Sequence, residues 1–105
     1  MGAPEGSVET YLKRRVARAG GLSLKFVSPG VSGVPDQVCI FPEHVLFVEV
    51  KRDGGKPRKL QELVQGRMRA AGADVRTVAG RTEVDALMDD LAREYGITDE
   101  SRQET

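Results

Sequence analysis

Apolar residues recur at Val8, Leu12, Val16 and Ala19, with Tyr11 beside them, a spacing near one helical turn that predicts a first helix from Ser7 to Ala19. Ser7 can cap its start, and Gly20-Gly21 supplies its stop. The segment "LSLKFVS" reads as a strand, "PGVSGVP" as a loop punctuated by glycine and proline, and "QVCIF" and "VLFVEVK" as two strands joined through "PEH" into a hairpin. Helical spacing returns after "RDGGKP". Leu60, Leu63, Val64, Met68 and Ala71 mark the apolar face of a second helix, with Pro57 suited to its first turn and Gly72 to its end. "DVRTVA" is a fourth strand, entered through the short link "AGA" as a crossover connection would be. Thr82 is then the expected cap of a third helix with apolar positions Val84, Leu87, Met88 and Leu91. Beyond Gly96 the chain is polar and expected to fray. The order α-β-β-β-α-β-α predicts an α/β fold, a mixed four-stranded sheet flanked by helices, with residues 1–96 as one domain and 97–105 as a polar C-terminal tail.

One strand departs from the simple pattern. Side chains alternate across a strand, so Val45, Phe47, Glu49 and Lys51 share one face and Leu46, Val48 and Val50 the other. A strand apolar on both faces is usually central, and a charge at its end must be solvated, paired or bound to a metal.

Composition narrows the classes. A chain of 105 residues is long enough to fold as one domain without disulfides or a structural metal. The single cysteine, Cys39, lies in an apolar run and reads as a small buried hydrophobe, with only one histidine in the chain to activate it as a nucleophile. No apolar run approaches the ~20 residues of a membrane span and the N-terminal stretch has no signal-peptide core, so the expected location is the cytoplasm. Net charge is zero, but residues 1–81 carry 14 Lys+Arg against 8 Asp+Glu and residues 82–105 carry 2 against 8. The basic groups cluster around Lys13 and Arg14 and again at Lys56, Arg58 and Lys59, where they could neutralise phosphates or simply form a solvated surface.

The chemistry gathers at "GVPD" and "EVK". Pro35 stiffens the chain before Asp36, at the start of the strand that pairs with the one ending in Glu49 and Lys51. A short hairpin turn brings the start of one strand beside the end of the next, so Asp36 and Glu49 should meet with Lys51 close by. Two carboxylates at contact distance repel unless something positive lies between them. Hard oxygen donors from Asp36 and Glu49, with the carbonyl of Val50 as a further ligand, suit Mg²⁺ or Mn²⁺, whereas no Cys/His set has zinc spacing. A metal with an adjacent lysine is a means of hydrolysing a phosphodiester. The alternative is that Lys51 only forms a structural ion pair with Asp36 or Glu49. Glu9, at the edge of the first helix's apolar arc, could reach the same cleft or pair with Lys13 at i,i+4. Gln61 holds the matching edge position beside Leu60 on the second helix. His44 is read as a surface residue at the far end of the hairpin.

Together "YLKRRVARAGGLSLKFVSPGVSGVPDQVCIF", "VLFVEVKRDGGK" and "LQELVQGRMRAAGADVRTV" resemble a VRR-NUC domain of the small stand-alone phage and bacterial type, a branch of the PD-(D/E)xK nuclease superfamily. The resemblance implies a restriction-endonuclease-like core, with Asp36 and Glu49 as metal ligands, Lys51 as a catalytic residue and Glu9 and Gln61 completing the site. It also implies a Mg²⁺- or Mn²⁺-dependent endonuclease on branched DNA such as four-way (Holliday) junctions or flaps, working as a homodimer. Apolar helix residues around Val16, Met68 and Met88 are the expected source of a partner-facing patch. One departure stands out: "KPRKLQ" places Arg58 and Lys59 where the family often has a small hydroxyl residue and a proline. The rival classes are a catalytically idle nucleic-acid-binding module and a protein-interaction subunit using the acidic segment from Glu83.

Overall fold

The computed structural model describes residues 4–99. Its elements are α1 (Glu5–Arg18), β1 (Leu22–Lys25), β2 (Gln37–Phe41), β3 (His44–Lys51), α2 (Lys59–Ala70), β4 (Val75–Ala79) and α3 (Arg81–Tyr95), the order expected from the periodicity. The sheet runs β1-β2-β3-β4, antiparallel through β3 and parallel between β3 and β4. The strand apolar on both faces is therefore internal. A parallel neighbour cannot be reached by a hairpin, and α2 supplies the crossover.

One face carries the core. Val8, Leu12 and Val16 of α1 and Val84, Leu87, Met88 and Leu91 of α3 pack with Cys39, Phe41, Leu46, Val48, Val50 and Val78 of the sheet. Val16 and Met88 thus lie inside and form no partner-facing patch; Met68 is half-buried. Cys39 is a buried thiol, pushed up to about 11 by its apolar surroundings, as expected of a packed hydrophobe. Among the described residues no helix is long and apolar enough to cross a membrane.

Several boundaries differ from the sequence reading. Pro4, not Ser7, is the N-cap of α1; Ser7 lies inside the first turn and accepts a hydrogen bond from Arg81 at 2.5 Å. Arg58 is the N-cap of α2, so Pro57 precedes the helix. Gly80 is the N-cap of α3, leaving Thr82 within it, and the Ala79 amide is satisfied instead by Glu83 at 2.8 Å. The hairpin turn is only Pro42-Glu43, with Glu43 at φ 64° and His44 already paired opposite Phe41. Nor is His44 simply a surface residue: it is half-buried, 2.9 Å from Asp74 and stacked on Tyr95. Gly96 ends α3 in the left-handed region as a glycine C-cap should. Immediately beyond it Ile97 joins the core and Asp99 is buried against Arg18 at 3.1 Å, so these residues are packed where fraying was expected. Residues 100–105 of the expected tail lie outside those described.

The largest difference concerns α2. Leu60 and Leu63, expected to face the core, are 50% and 55% exposed, while Gln61 and Gln65 are buried. Val64 and Met68, half-buried, line an open groove with Phe26, Val31 and Val34. The helix turns a polar edge toward the sheet because it covers the charged end of β3, where apolar side chains would leave Glu49 without donors.

Candidate active site

Register places the acidic pair. Gln37 lies opposite Val48 in the β2-β3 ladder, so one step further Asp36 falls opposite Glu49, on the face away from the α1/α3 core. The contact that fixes Asp36 is a 2.8 Å hydrogen bond to its Oδ2 from the backbone amide of Val50. Within a strand a residue's N–H and C=O point to the same side, so the Val50 carbonyl is directed to the side that holds Asp36. β2 has not yet begun there, which leaves that carbonyl outside the ladder between the two strands.

Glu49 is buried at the end of an interior strand. A carboxylate there is tolerated only when its oxygens are matched by donors. Three side chains supply them. Gln65 Nε2 donates to Oε1 at 3.0 Å, Gln61 Nε2 donates to Oε2 at 3.0 Å, and the Lys51 ammonium stands 3.1 Å from Oε2. Burial pushes the Glu49 carboxyl above its ordinary value; the Lys51 hydrogen bond opposes this, the charge of Asp36 adds to it, and Gln65 opposes it again. Lys51 shares the face of Glu49, being two residues on, and its side chain is itself only 14% exposed.

Of the expected residues, Asp36, Glu49, Val50, Lys51 and Gln61 come together. Glu9 does not contact them: it lies on α1, in the helix layer against the core face, and pairs with Lys13 at 3.4 Å. Lys56, Arg58 and Lys59 are exposed in and just after the loop that follows Lys51, whereas Lys13 and Arg14 are exposed on α1. The two basic clusters therefore belong to opposite layers of the sheet. Gln65 was not singled out in the sequence, although it stands four residues from Gln61 and must share its helix face.

The donor set can be tested against the cation the motifs imply. Among the described residues no three His, Cys, Asp or Glu side chains cluster as a metal cage. Two adjacent carboxylates and a strand-end carbonyl remain, all hard oxygens, with lone pairs on Glu49 beyond those used by the two amides and the lysine. This fits Mg²⁺ or Mn²⁺, of which Mg²⁺ characteristically retains several waters and takes only one or two carboxylates from the protein.

No family model matches the chain. Over 72 residues it is 42% identical to "Putative nuclease p44" of Acyrthosiphon pisum secondary endosymbiont phage 1, a match spanning 68% of this chain and 77% of that relative. A solved structure described as "VRR_NUC domain" is similar with a TM-score of 0.76 and 38% sequence identity, over 89% of this chain and 99% of that one.

Proposed function

This chain belongs to the VRR-NUC family, and from that premise we propose that it is a Mg²⁺- or Mn²⁺-dependent endonuclease that cuts structured DNA, with four-way junctions as its substrate and flaps as the nearest alternative. The observation that carries this reading is the buried Glu49 carboxylate, held by two amides and a lysine directly across the register from Asp36. Burying a charge of this kind costs stability even when donors match it, and a module that only bound nucleic acid would gain nothing in return from acid facing phosphate.

Asp36, Glu49 and the Val50 carbonyl would hold the cation, which supplies a polarised phosphodiester and a bound water of lowered pKa. Lys51 neutralises charge that gathers on the phosphate as the bond breaks, an interaction worth most in a site shielded from water. Lys56, Arg58 and Lys59 grip the DNA backbone beside the scissile bond, giving affinity without sequence preference. The intracellular setting expected of DNA processing, the cytoplasm of a bacterial or phage-infected cell, is also one in which Cys39 stays reduced.

The working unit is a homodimer. Leu22, Ile40 and Val45 form a single cross-strand row, flanked by Leu24, on the sheet face that α2 leaves open, and all four are exposed. An apolar row across three strands favours burial, and a second copy meets it with the same surface under two-fold symmetry. Two such sites would match the two-fold symmetry of a four-way junction. The test is incubation of the pure protein with labelled linear, flap and four-way-junction DNA, with and without Mn²⁺. Metal-dependent paired nicks at symmetric positions of the junction are expected; no metal-dependent cleavage of any substrate would overturn the reading.

A further inference from the structure

The two glutamines that hold Glu49 are not equivalent. Gln61 is tied to its own helix: its Oε1 accepts the Arg58 backbone N–H at 2.8 Å while its Nε2 donates to Glu49. Gln65 reaches out of the helix. Its Nε2 donates both to Glu49 Oε1 at 3.0 Å and to the carbonyl of Gly33 at 3.3 Å. A carboxylate and a carbonyl can only accept, so the amide orientation follows from its neighbours. Gly33 opens the stretch Gly33-Val34-Pro35-Asp36 and sits tight against α2, where a Cβ would stand 2.9 Å from the Leu60 carbonyl oxygen. From Asp36 the contacts return to the amide of Val50, the residue after Glu49. Glu49, Gln65, Gly33, Asp36 and Val50 thus close a ring of covalent and hydrogen-bonded links.

We propose that Gln65 is a positioning residue that braces the Asp36 loop against Glu49 and so sets the separation of the two carboxylates that receive the cation. The proposal rests on the nuclease reading and assigns one residue a task within it. Without the brace, repulsion between two like charges spreads the loop from the strand. Gln61 cannot substitute, because it holds Glu49 to the start of α2 and does not reach the loop.

The test compares Gln65→Met with Gln61→Met, each near the volume of glutamine and lacking its donors, in two measurements made without DNA: Mn²⁺ affinity by calorimetry, and hydrogen exchange of the Val50 amide in metal-free protein. Gln65→Met should lower Mn²⁺ affinity by about 10–100-fold, the usual effect of losing a partner that orients a ligand, and should speed Val50 exchange. Gln61→Met should lower the affinity but leave Val50 exchange at the wild-type rate. In cleavage, Gln65→Met should lower kcat with KM for DNA unchanged. Gln65→Asn, which keeps the amide but falls one methylene short, should show the same pair of changes and serves if the methionine variant does not fold. Equal Val50 exchange in wild-type and folded Gln65 variants, or equal acceleration by both methionine variants, would overturn the brace. Wild-type protein that binds no Mn²⁺ and cuts no DNA would instead overturn the nuclease reading, and the Val50 comparison would still judge the contact.

Discussion

The backbone amide of Val50 donates to the carboxylate of Asp36 at 2.8 Å, so the strand that carries Glu49 also fixes its acidic counterpart. Neither carboxylate can shift along the strands without breaking this bond or moving Glu49. Asp36 lies just before β2, so this bond extends the alignment of the two strands one step beyond their ladder.

Asp36→Asn, Glu49→Gln and Lys51→Ala should each lower cleavage by about 10²–10³-fold, the scale associated with losing one preorganised charge-stabilising group. Folding should survive, since all three side chains lie outside the apolar cluster of α1, α3 and the sheet. Circular dichroism and single-turnover cleavage together decide the matter: a folded variant cutting at the wild-type rate would remove that residue from the site.

The pH dependence follows from Glu49, whose carboxyl is raised by burial, with Lys51 opposing. Metal binding needs the ionised form, so the acid limb of both Mn²⁺ affinity and cleavage should lie above the ordinary glutamate value. For metal-free protein the sign reverses. The folded state holds the Glu49 proton more tightly than the unfolded chain, so this group's contribution to stability falls as pH rises from the ordinary value through the raised one. Added Mn²⁺ at neutral pH should therefore raise the melting temperature. An acid limb at the value of a free glutamate would contradict the burial effect.

Binding should weaken steeply with salt, each phosphate contact contributing about 0.9 to the slope of log affinity against log salt. Replacing Arg58 and Lys59 by alanine should flatten the slope by about 1.8 if both touch phosphate. Replacing Lys13 and Arg14, on the other layer of the sheet, should change it less. Fluorescence anisotropy across a salt series measures both, and an unchanged slope in the Arg58/Lys59 variant would move the DNA path elsewhere.

Gly33→Ala should disturb the site from a distance. Gly33 has φ 93°, and an added Cβ would meet the Leu60 oxygen at 2.9 Å and Val64 Cγ2 at 3.1 Å. A cost of about 1–3 kcal/mol is expected for a non-glycine residue in this region. Denaturant unfolding should register that loss, and cleavage should fall further than stability alone predicts because the loop leads into Asp36. Wild-type stability in the variant would mean that the loop relaxes freely.

The dimer is tested at the exposed row. Light scattering should give about twice the 11.4 kDa chain mass, and Ile40→Lys should reduce it to one chain while leaving the fold intact. Junction cleavage by that variant should become unpaired nicking. A wild-type chain that stays monomeric on DNA would remove the dimer and leave the metal chemistry standing.

Much of this protein was legible in the chain itself. Period-two and helical spacing gave the seven elements in order, and the "PEH" segment between "QVCIF" and "VLFVEVK" was enough to bring Asp36 and Glu49 together, because a short hairpin leaves register little freedom. The helix starts differ from the reading at Ser7, Pro57 and Thr82: Pro4, Arg58 and Gly80 are the N-caps, and the Arg58 and Ala79 amides are satisfied by Gln61 and Glu83 of the helices that follow them. Tertiary structure alone decided which face of α2 is buried. By hydrophobicity Leu60 and Leu63 should face the sheet, yet the sheet end beneath α2 holds Glu49, and the polar demand of one buried carboxylate outweighs two leucines. Tertiary structure likewise assigned Glu9 to Lys13 and brought Gln65 into the site, since the partner of a side chain depends on the layer into which its helix is packed, and helical spacing specifies only the face.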